Sequence, residues 1–253
     1  SSYQKAAVLS VDGFGDFAST AWGAGVNGEL SVDAKIYFPH SLGIFYQALT
    51  QFLGFPNYGD EYKVMGLAPY GKPVHMDKME KILLIKSDGT FELNLKYFKF
   101  QKENIQYEWK DGSPVFGKLY SPELLALLGP DRQSKDELTQ YHKDLARSLQ
   151  TMYEKALFSL LNMLFEKYKY DSLCIAGGCG NNSVANGKIA QNTPFKNIYI
   201  QSAAGDAGGA IGAAYTVIQN GETQKVAPPM EHALWGPSYG QSEIEDILNE
   251  KKS

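Results

Sequence analysis

A chain of 253 residues is long enough for one large domain or two compact lobes around a sizeable core, and its 43% hydrophobic and 21% charged content excludes bulk disorder. A net charge of −4 provides no broad cationic surface, so no nucleic-acid or membrane partner is expected. Two cysteines, Cys174 and Cys179, form neither a CxxC pair nor half of a zinc site. With no apolar run of about 18 residues and no signal peptide, they point to the reducing cytoplasm. The first residues, SSYQ, run straight into strand-like sequence without an initiating Met, so the chain reads as a piece of a longer protein.

AAVLSVDG (6–13) is an apolar run ending in Asp-Gly, which predicts a buried strand entering a tight turn. Asn27-Gly28 lies between two strand-like stretches over 19–37, a strong hairpin signal. SLGIFYQALTQFLGF (41–55) sets Leu42, Phe45, Leu49 and Phe52 at helical spacing behind Ser41, a good N-cap. NYGDEYKVMGLAPYGKP (57–73) reads as a loop that crowds Asp60, Glu61 and Lys63 among small residues. A second hairpin is expected over 81–95, turning at Asp88-Gly89, followed by an irregular aromatic insertion over 96–135. A long helix is predicted from Ser134 to Lys167, with one stripe of Leu145, Leu149, Met152, Ala156, Leu160 and Leu164. Asp144 and Arg147 on it fit local ion pairs along the helix face. SLCIAGG (172–178) and NIYIQ (197–201) are strands, and 205–221 is an Ala-rich helix stopping at Gly221. A last helix over 242–252 has Ser242 and Glu245 spaced as a capping box. Hairpins followed by alternating helices and strands give an α/β or α+β fold with a mixed sheet flanked by helices.

Three strands stop at glycine-rich turns: VDGFGD (11–16), AGGCGNNSVANG (176–187) and AAGDAGGAIGAA (203–214). Glycines let backbone N–H groups approach an anion, and Asp206 sits where a carboxylate and helix N–H groups converge. Open α/β sheets bind ligands at such carboxyl ends. Neither the GxxxxGK[ST] loop nor a strand followed by GxGxxG is present, so the turns suggest a nucleotide without naming the site type.

The blocks VDGFGDFAST, FPHSLGIFYQALTQFLGF, GDEYKVMGLAPYG, HKDLARSLQ, LCIAGGCGNNSVANGKI and SAAGDAGGAIGAAY, in this order, resemble the NodU-type carbamoyltransferase family, over nearly all of residues 6–240. The resemblance implies an actin/sugar-kinase/Hsp70-like fold of RNase H-like lobes, of which this chain is mostly the second. Residues 1–240 would be that domain, and 241–253 the start of a linker or helix towards a YrdC-like domain of the same polypeptide. It further implies that ATP and carbamoyl phosphate yield carbamoyl-adenylate, whose carbamoyl group passes to an acceptor hydroxyl. A divalent metal, iron in some relatives, would be held by carboxylates and histidines. The family's HHxxHA-type histidines are absent from the sequence, so some ligands would lie outside it and the isolated chain is expected to be inactive. GGCGNN also departs from the commoner GGVALN.

By the same resemblance Asp12 is a catalytic acid and metal ligand, and Asp206 a second metal ligand. Gly13, Gly15 and Asp16 would wrap the phosphate, Gly177, Gly178 and Asn182 would contact adenosine with Asn181 as a close rival, and His40 would stand near the ribose. Asp60, Glu61 and Lys63 are expected on the carbamoyl or acceptor side, with Lys63 catalytic. Bland roles compete: an Asp can stabilise its own turn, Asp206 can cap a helix, and His40 can serve as a surface residue. Two other functions are compatible with the turns alone, a sugar-kinase-like phosphotransferase and a non-catalytic nucleotide-binding scaffold.

Overall fold

The computed structural model describes residues 1–110, 113–220, 230, 232–234 and 236–251. The chain opens with a meander of three strands, β1 (Lys5–Gly15), β2 (Ala18–Val26) and β3 (Glu29–Tyr37). β2 and β3 turn at Asn27-Gly28, where both residues take positive φ (51° and 88°), the conformation an Asn-Gly hairpin needs. β1 outlasts its predicted end at Gly13. It runs through an irregular stretch between Val11 and Gly15 and turns at Asp16, itself at φ 52°.

α1 (Leu42–Phe52) carries the expected stripe: Leu42, Phe45, Leu49 and Phe52 are all buried. Burial of such a side chain contributes about 1.5–3 kcal/mol. Ser41 caps the helix by accepting the Ile44 N–H at 3.1 Å. The stretch at 57–73 is not the loop the sequence suggests. It forms α2 (Glu61–Leu67) and a 3-10 turn over Ala68–Tyr70, then leads into α3 (Met76–Ile82). β4 (Leu83–Ile85) and β5 (Phe91–Leu93) make the second hairpin with Gly89 at φ 88° in its turn. Residues 96–135 are more regular than expected: β6 (Tyr107–Lys110) and β7 (Ser113–Phe116) pair as an antiparallel ribbon, and α4 (Pro122–Leu128) follows.

The long helix α5 (Gln140–Tyr168) begins six residues later than predicted, at the N-cap Thr139, whose N–H donates to His142 Nδ1 at 3.1 Å, and Arg132 braces the turn before it. The Arg132 guanidinium donates to the carbonyls of Leu53, Ser134 and Asp136. All six residues of the predicted apolar stripe are buried. Asp144 is not paired with Arg147; its Oδ1 accepts the Lys72 N–H at 2.7 Å and the Gln140 side chain at 2.9 Å, tying α5 to the 57–73 segment. β8 (Ser172–Ala176) then leads through a 3-10 turn to α6 (Ser183–Asn186) and α7 (Ile189–Asn192), followed by β9 (Asn197–Ile200) and α8 (Gly208–Asn220). The predicted stop at Gly221 lies outside the described residues. α9 (Gln241–Glu250) is capped two residues before the expected pair: Gly240 is the N-cap and its N–H donates to Glu243 Oε2 at 2.7 Å, with Ser242 inside the helix.

The main sheet has the order β3-β2-β1-β8-β9, antiparallel across the meander and parallel across β1-β8-β9. α1 and α5 cover it, and α2 and α3 pack on α5. The fold is therefore α/β with a mixed sheet flanked by helices, and the carboxyl ends of the parallel pair β1 and β8 open on the same side. Among the described residues no helix is long and apolar enough to cross a membrane.

Candidate functional site

The three glycine-rich turns meet. Gly177, just past β8, has φ 90°, and a Cβ there would lie 2.1 Å from the Val11 carbonyl oxygen of β1. Its N–H donates to the Ala204 carbonyl at 2.8 Å, which draws in the third turn. α1 joins from the other side. Ser41 Oγ donates to the carbonyls of Asp12 (3.0 Å) and Gly13 (2.7 Å), and Gly43 lets α1 touch the backbone of Asp12 and Gly13.

These contacts enclose a cavity of about 420 Å³, a volume typical of small-molecule sites. Asp12 and Gly13 line it from β1, Gly178, Asn181 and Asn182 from the turn after β8, and Gly205 and Asp206 from the turn before α8. The remaining wall is α1 and the 58–65 segment: Gly43, Tyr46, Gln47, Tyr58, Glu61 and Met65.

Three carboxylates therefore face one space. The Tyr58 hydroxyl registers them all: burial pushes its pKa up, and then Asp206, Asp12 and Glu61 raise it further. Burial pushes the Glu61 carboxyl up as well, aided by the neighbouring Asp60 charge. Cys179 lies at the floor, where burial and the charges of Asp12 and Glu61 hold it as the neutral thiol. Below it a buried network closes on itself. Tyr46 donates its hydroxyl proton to Gln150 Oε1 at 2.7 Å, Gln150 Nε2 donates to Glu154 (2.9 Å) and Asn182 Oδ1 (3.1 Å), and Lys188 pairs with Glu154 at 2.5 Å.

Several predicted residues are not in the cavity wall. Lys63 turns away to pair with Asp60 at 2.6 Å, and Glu61 stands in its place. Helical geometry explains the exchange, since two positions on α2 lie on opposite faces. Gly15 and Asp16 sit on the exposed β1–β2 turn, where Asp16 supplies the left-handed residue. His40 accepts the Leu93 N–H at Nδ1 (3.1 Å), joining the meander to the second hairpin. Gly177 is occupied by backbone packing. Asn182 reaches the wall, yet its amide is spent: Oδ1 accepts from Ala185 N as the α6 cap, and Nδ2 donates to Gln150. Asn181 is exposed in the cavity and its side chain has no hydrogen-bond partner among the described residues. Asp12 and Asp206 share the cavity, but among the described residues no group of three His, Cys, Asp or Glu side chains is placed to hold a metal ion. Two carboxylates alone fall short of the oxygen or nitrogen set a divalent ion takes.

The family model described as "Carbamoyltransferase N-terminus" matches residues 1–215. The chain belongs to this family. Among curated proteins, this carbamoyltransferase-family chain is 40% identical to an uncharacterised protein of Synechocystis over 98% of its own length and 39% of the relative's. It is 33% identical to nodulation protein NolNO of Sinorhizobium fredii, covering 95% of the chain and 32% of that protein. Nodulation protein NolO of Bradyrhizobium diazoefficiens is 31% identical, with 98% of the chain and 41% of the relative aligned. The chain thus spans about a third to two-fifths of the length of these relatives.

The family's sequence blocks contain the turns that meet at the cavity and most of the wall between them, Tyr58 and Tyr153 excepted, but do not say which of their residues face it. Tyr46 and Gln47 escape notice because α1 reads as a core helix. Their signal is polar atoms at three and four residues from Gly43, on the face of α1 that touches Asp12 and Gly13.

Proposed function

We propose that this chain forms the part of an O-carbamoyltransferase that receives carbamoyl-adenylate and presents it to an acceptor hydroxyl. The observation that carries the reading is the convergence of Asp12-Gly13, Gly178-Asn181 and Gly205-Asp206 on one cavity of adenylate size. The sheet, a meander extended by parallel strands, supports an RNase H-like lobe of an actin/sugar-kinase/Hsp70-type protein. In this reading ATP and carbamoyl phosphate are converted to the adenylate by a YrdC-like domain of the same polypeptide.

The phosphate lies against the glycine turns near the start of α8, where backbone N–H groups and the helix dipole favour an anion. Asn181, with its amide unspent, takes a polar edge of the adenosine. The acceptor oxygen bonds to the carbamoyl carbon while the bond from that carbon to the phosphate oxygen breaks. AMP leaves, and the acceptor's proton passes to one of the cavity carboxylates. A divalent ion would need ligands beyond Asp12 and Asp206.

The test uses the full-length protein that carries this chain, supplied with ATP, carbamoyl phosphate and hydroxyl acceptors. An O-carbamoyl product with release of AMP is expected. Asp206→Asn should abolish that product and leave ATP-dependent turnover of carbamoyl phosphate intact. Wild-type transfer by the variant would refute the role given to Asp206.

A further inference from the structure

One face of α5 holds the turn after β8 from beneath. Gln150, Tyr153 and Glu154 lie at positions i, i+3 and i+4, so they share that face. Tyr153 donates its hydroxyl proton to the Cys179 carbonyl at 3.1 Å, and Gln150 exchanges two hydrogen bonds with the Asn182 amide, both at 3.1 Å. Asn182 accepts the Ala185 N–H at 3.0 Å, and Asn186 donates to the Gly180 carbonyl at 2.7 Å. Further along the same segment Lys188 pairs with Glu154 at 2.5 Å. The segment is thus fastened to α5 twice, by Asn182 and by Lys188.

Gln150 also reaches the opposite wall, because its Oε1 accepts the Tyr46 hydroxyl at 2.7 Å. One carboxamide therefore bonds to both sides of the cavity, which Tyr46 and Asn182 line. Glu154 decides which way that amide points. A carboxylate only accepts, so Nε2 must face Glu154 and Oε1 must face Tyr46. With the amide reversed, two oxygens would meet without a proton and the Tyr46 hydroxyl would lose its acceptor. Gln150 is 1% exposed and Glu154 8%, so water cannot repair such a reversal. Lys188 supplies the opposite charge that a buried carboxylate needs.

We propose that Lys188 and Glu154 are positioning residues for the nucleotide: through Gln150 they fix the Tyr46 wall against the turn that presents Asn181. The proposal rests on the reading of the cavity as the adenylate site and adds the groups that hold its walls in register. Lys188, Glu154 and Gln150 do not line the cavity, so each acts through Asn181 and its turn without touching the ligand.

The experiment is a double-mutant cycle on the full-length protein, read as the dissociation constant for AMP. Asn181→Ala should weaken AMP binding about tenfold, and Glu154→Gln, which lets the Gln150 amide reverse, about fivefold. The double variant should bind AMP no more weakly than Asn181→Ala alone, because the turn then has nothing to present. Lys188→Gln should match Glu154→Gln, whereas Lys188→Arg keeps the charge and should stay within about twofold of wild type. If Glu154→Gln does not fold, Lys188→Gln combined with Asn181→Ala completes the same cycle. A merely structural role lowers the melting temperature and leaves the AMP affinity of the folded variants unchanged. That result, or independent losses that multiply to about fiftyfold in the double variant, would overturn the proposal and leave the nucleotide site standing. Wild-type protein that does not bind AMP would remove the adenylate reading, and the proposal with it.

Discussion

Gly177 and Gly178 are adjacent, and the structure gives them opposite consequences on substitution. At Gly177 an added Cβ would meet the Val11 oxygen at 2.1 Å, its carbonyl carbon at 2.5 Å and its nitrogen at 2.7 Å, with φ already at 90°. Val11 cannot yield, because it is paired with Thr20 of β2 while neighbouring Ser10 is paired with Ala176 of β8. A non-glycine residue at such a φ costs about 1–3 kcal/mol, and overpacking against fixed atoms adds about 1–3 kcal/mol. Gly177→Ala should therefore lose roughly 2–6 kcal/mol. At about 2–4 °C per kcal/mol for a domain of this size, the melting temperature should fall by roughly 5–20 °C. At Gly178 the nearest atom to an added Cβ is Asp12 Oδ1 at 2.9 Å, the end of a side chain, and no backbone atom crowds it. Gly178→Ala should cost less than about 1 kcal/mol. It should instead displace the Asp12 carboxylate, which accepts the Gly13 N–H at 2.7 Å, and weaken nucleotide binding. Thermal melts and titration of the full-length protein with AMP separate the two effects. Equal melting temperatures for the two variants, or unaltered AMP affinity in Gly178→Ala, would refute the division between a packing glycine and a site glycine.

Glu61→Gln tests the half-buried cavity carboxylate. Burial raises the Glu61 pKa above its unfolded value, so the folded state binds this proton more tightly. The resulting stabilisation is present below the unfolded pKa of about 4.3 and is lost as pH rises through the folded pKa. The variant should gain stability over wild type at pH 7 and show little gain at pH 4; equal differences at both would contradict this. Gln150→Leu strands the Tyr46 hydroxyl, the Asn182 amide and Glu154 without a shared partner. A loss of about 2–4 kcal/mol in chemical denaturation is expected, and a loss under about 1 kcal/mol would show the network to be slack. Lys63→Ala should leave transfer kinetics within about twofold, since Lys63 faces Asp60; a hundredfold loss would return it to the site.

What the sequence made legible follows the strength of its local physics. The α1 and α5 stripes and the Asn27-Gly28 turn are set by periodicity and by backbone conformation, and all were readable. The 57–73 segment was not, because Gly59, Gly66, Pro69 and Gly71 argue locally for a loop. α2 forms there because Val64 and Leu67 are buried and the segment packs on α5, so tertiary burial outweighs the low helix propensity of a seven-residue stretch containing a glycine.

The same limit applies within the site. Spacing located the three turns at strand ends but could not say which member of each turn faces the ligand. Asn181 and Asn182 are alike in the sequence, and only a count of hydrogen bonds parts them. Asn182 has its oxygen on Ala185 N and Gln150 and its nitrogen on Gln150, all at 3.0–3.1 Å, so a ligand could take it only by breaking the α6 cap. Asn181 spends no bond to turn outward. A polar side chain already satisfied inside the fold is a poor ligand contact, because each bond to a ligand then replaces one to protein and the net gain is small. Among the described residues, the wall side chains that the fold leaves unspent include Gln47, Asn181 and Asp206, and a ligand in the cavity would draw its polar contacts from these first.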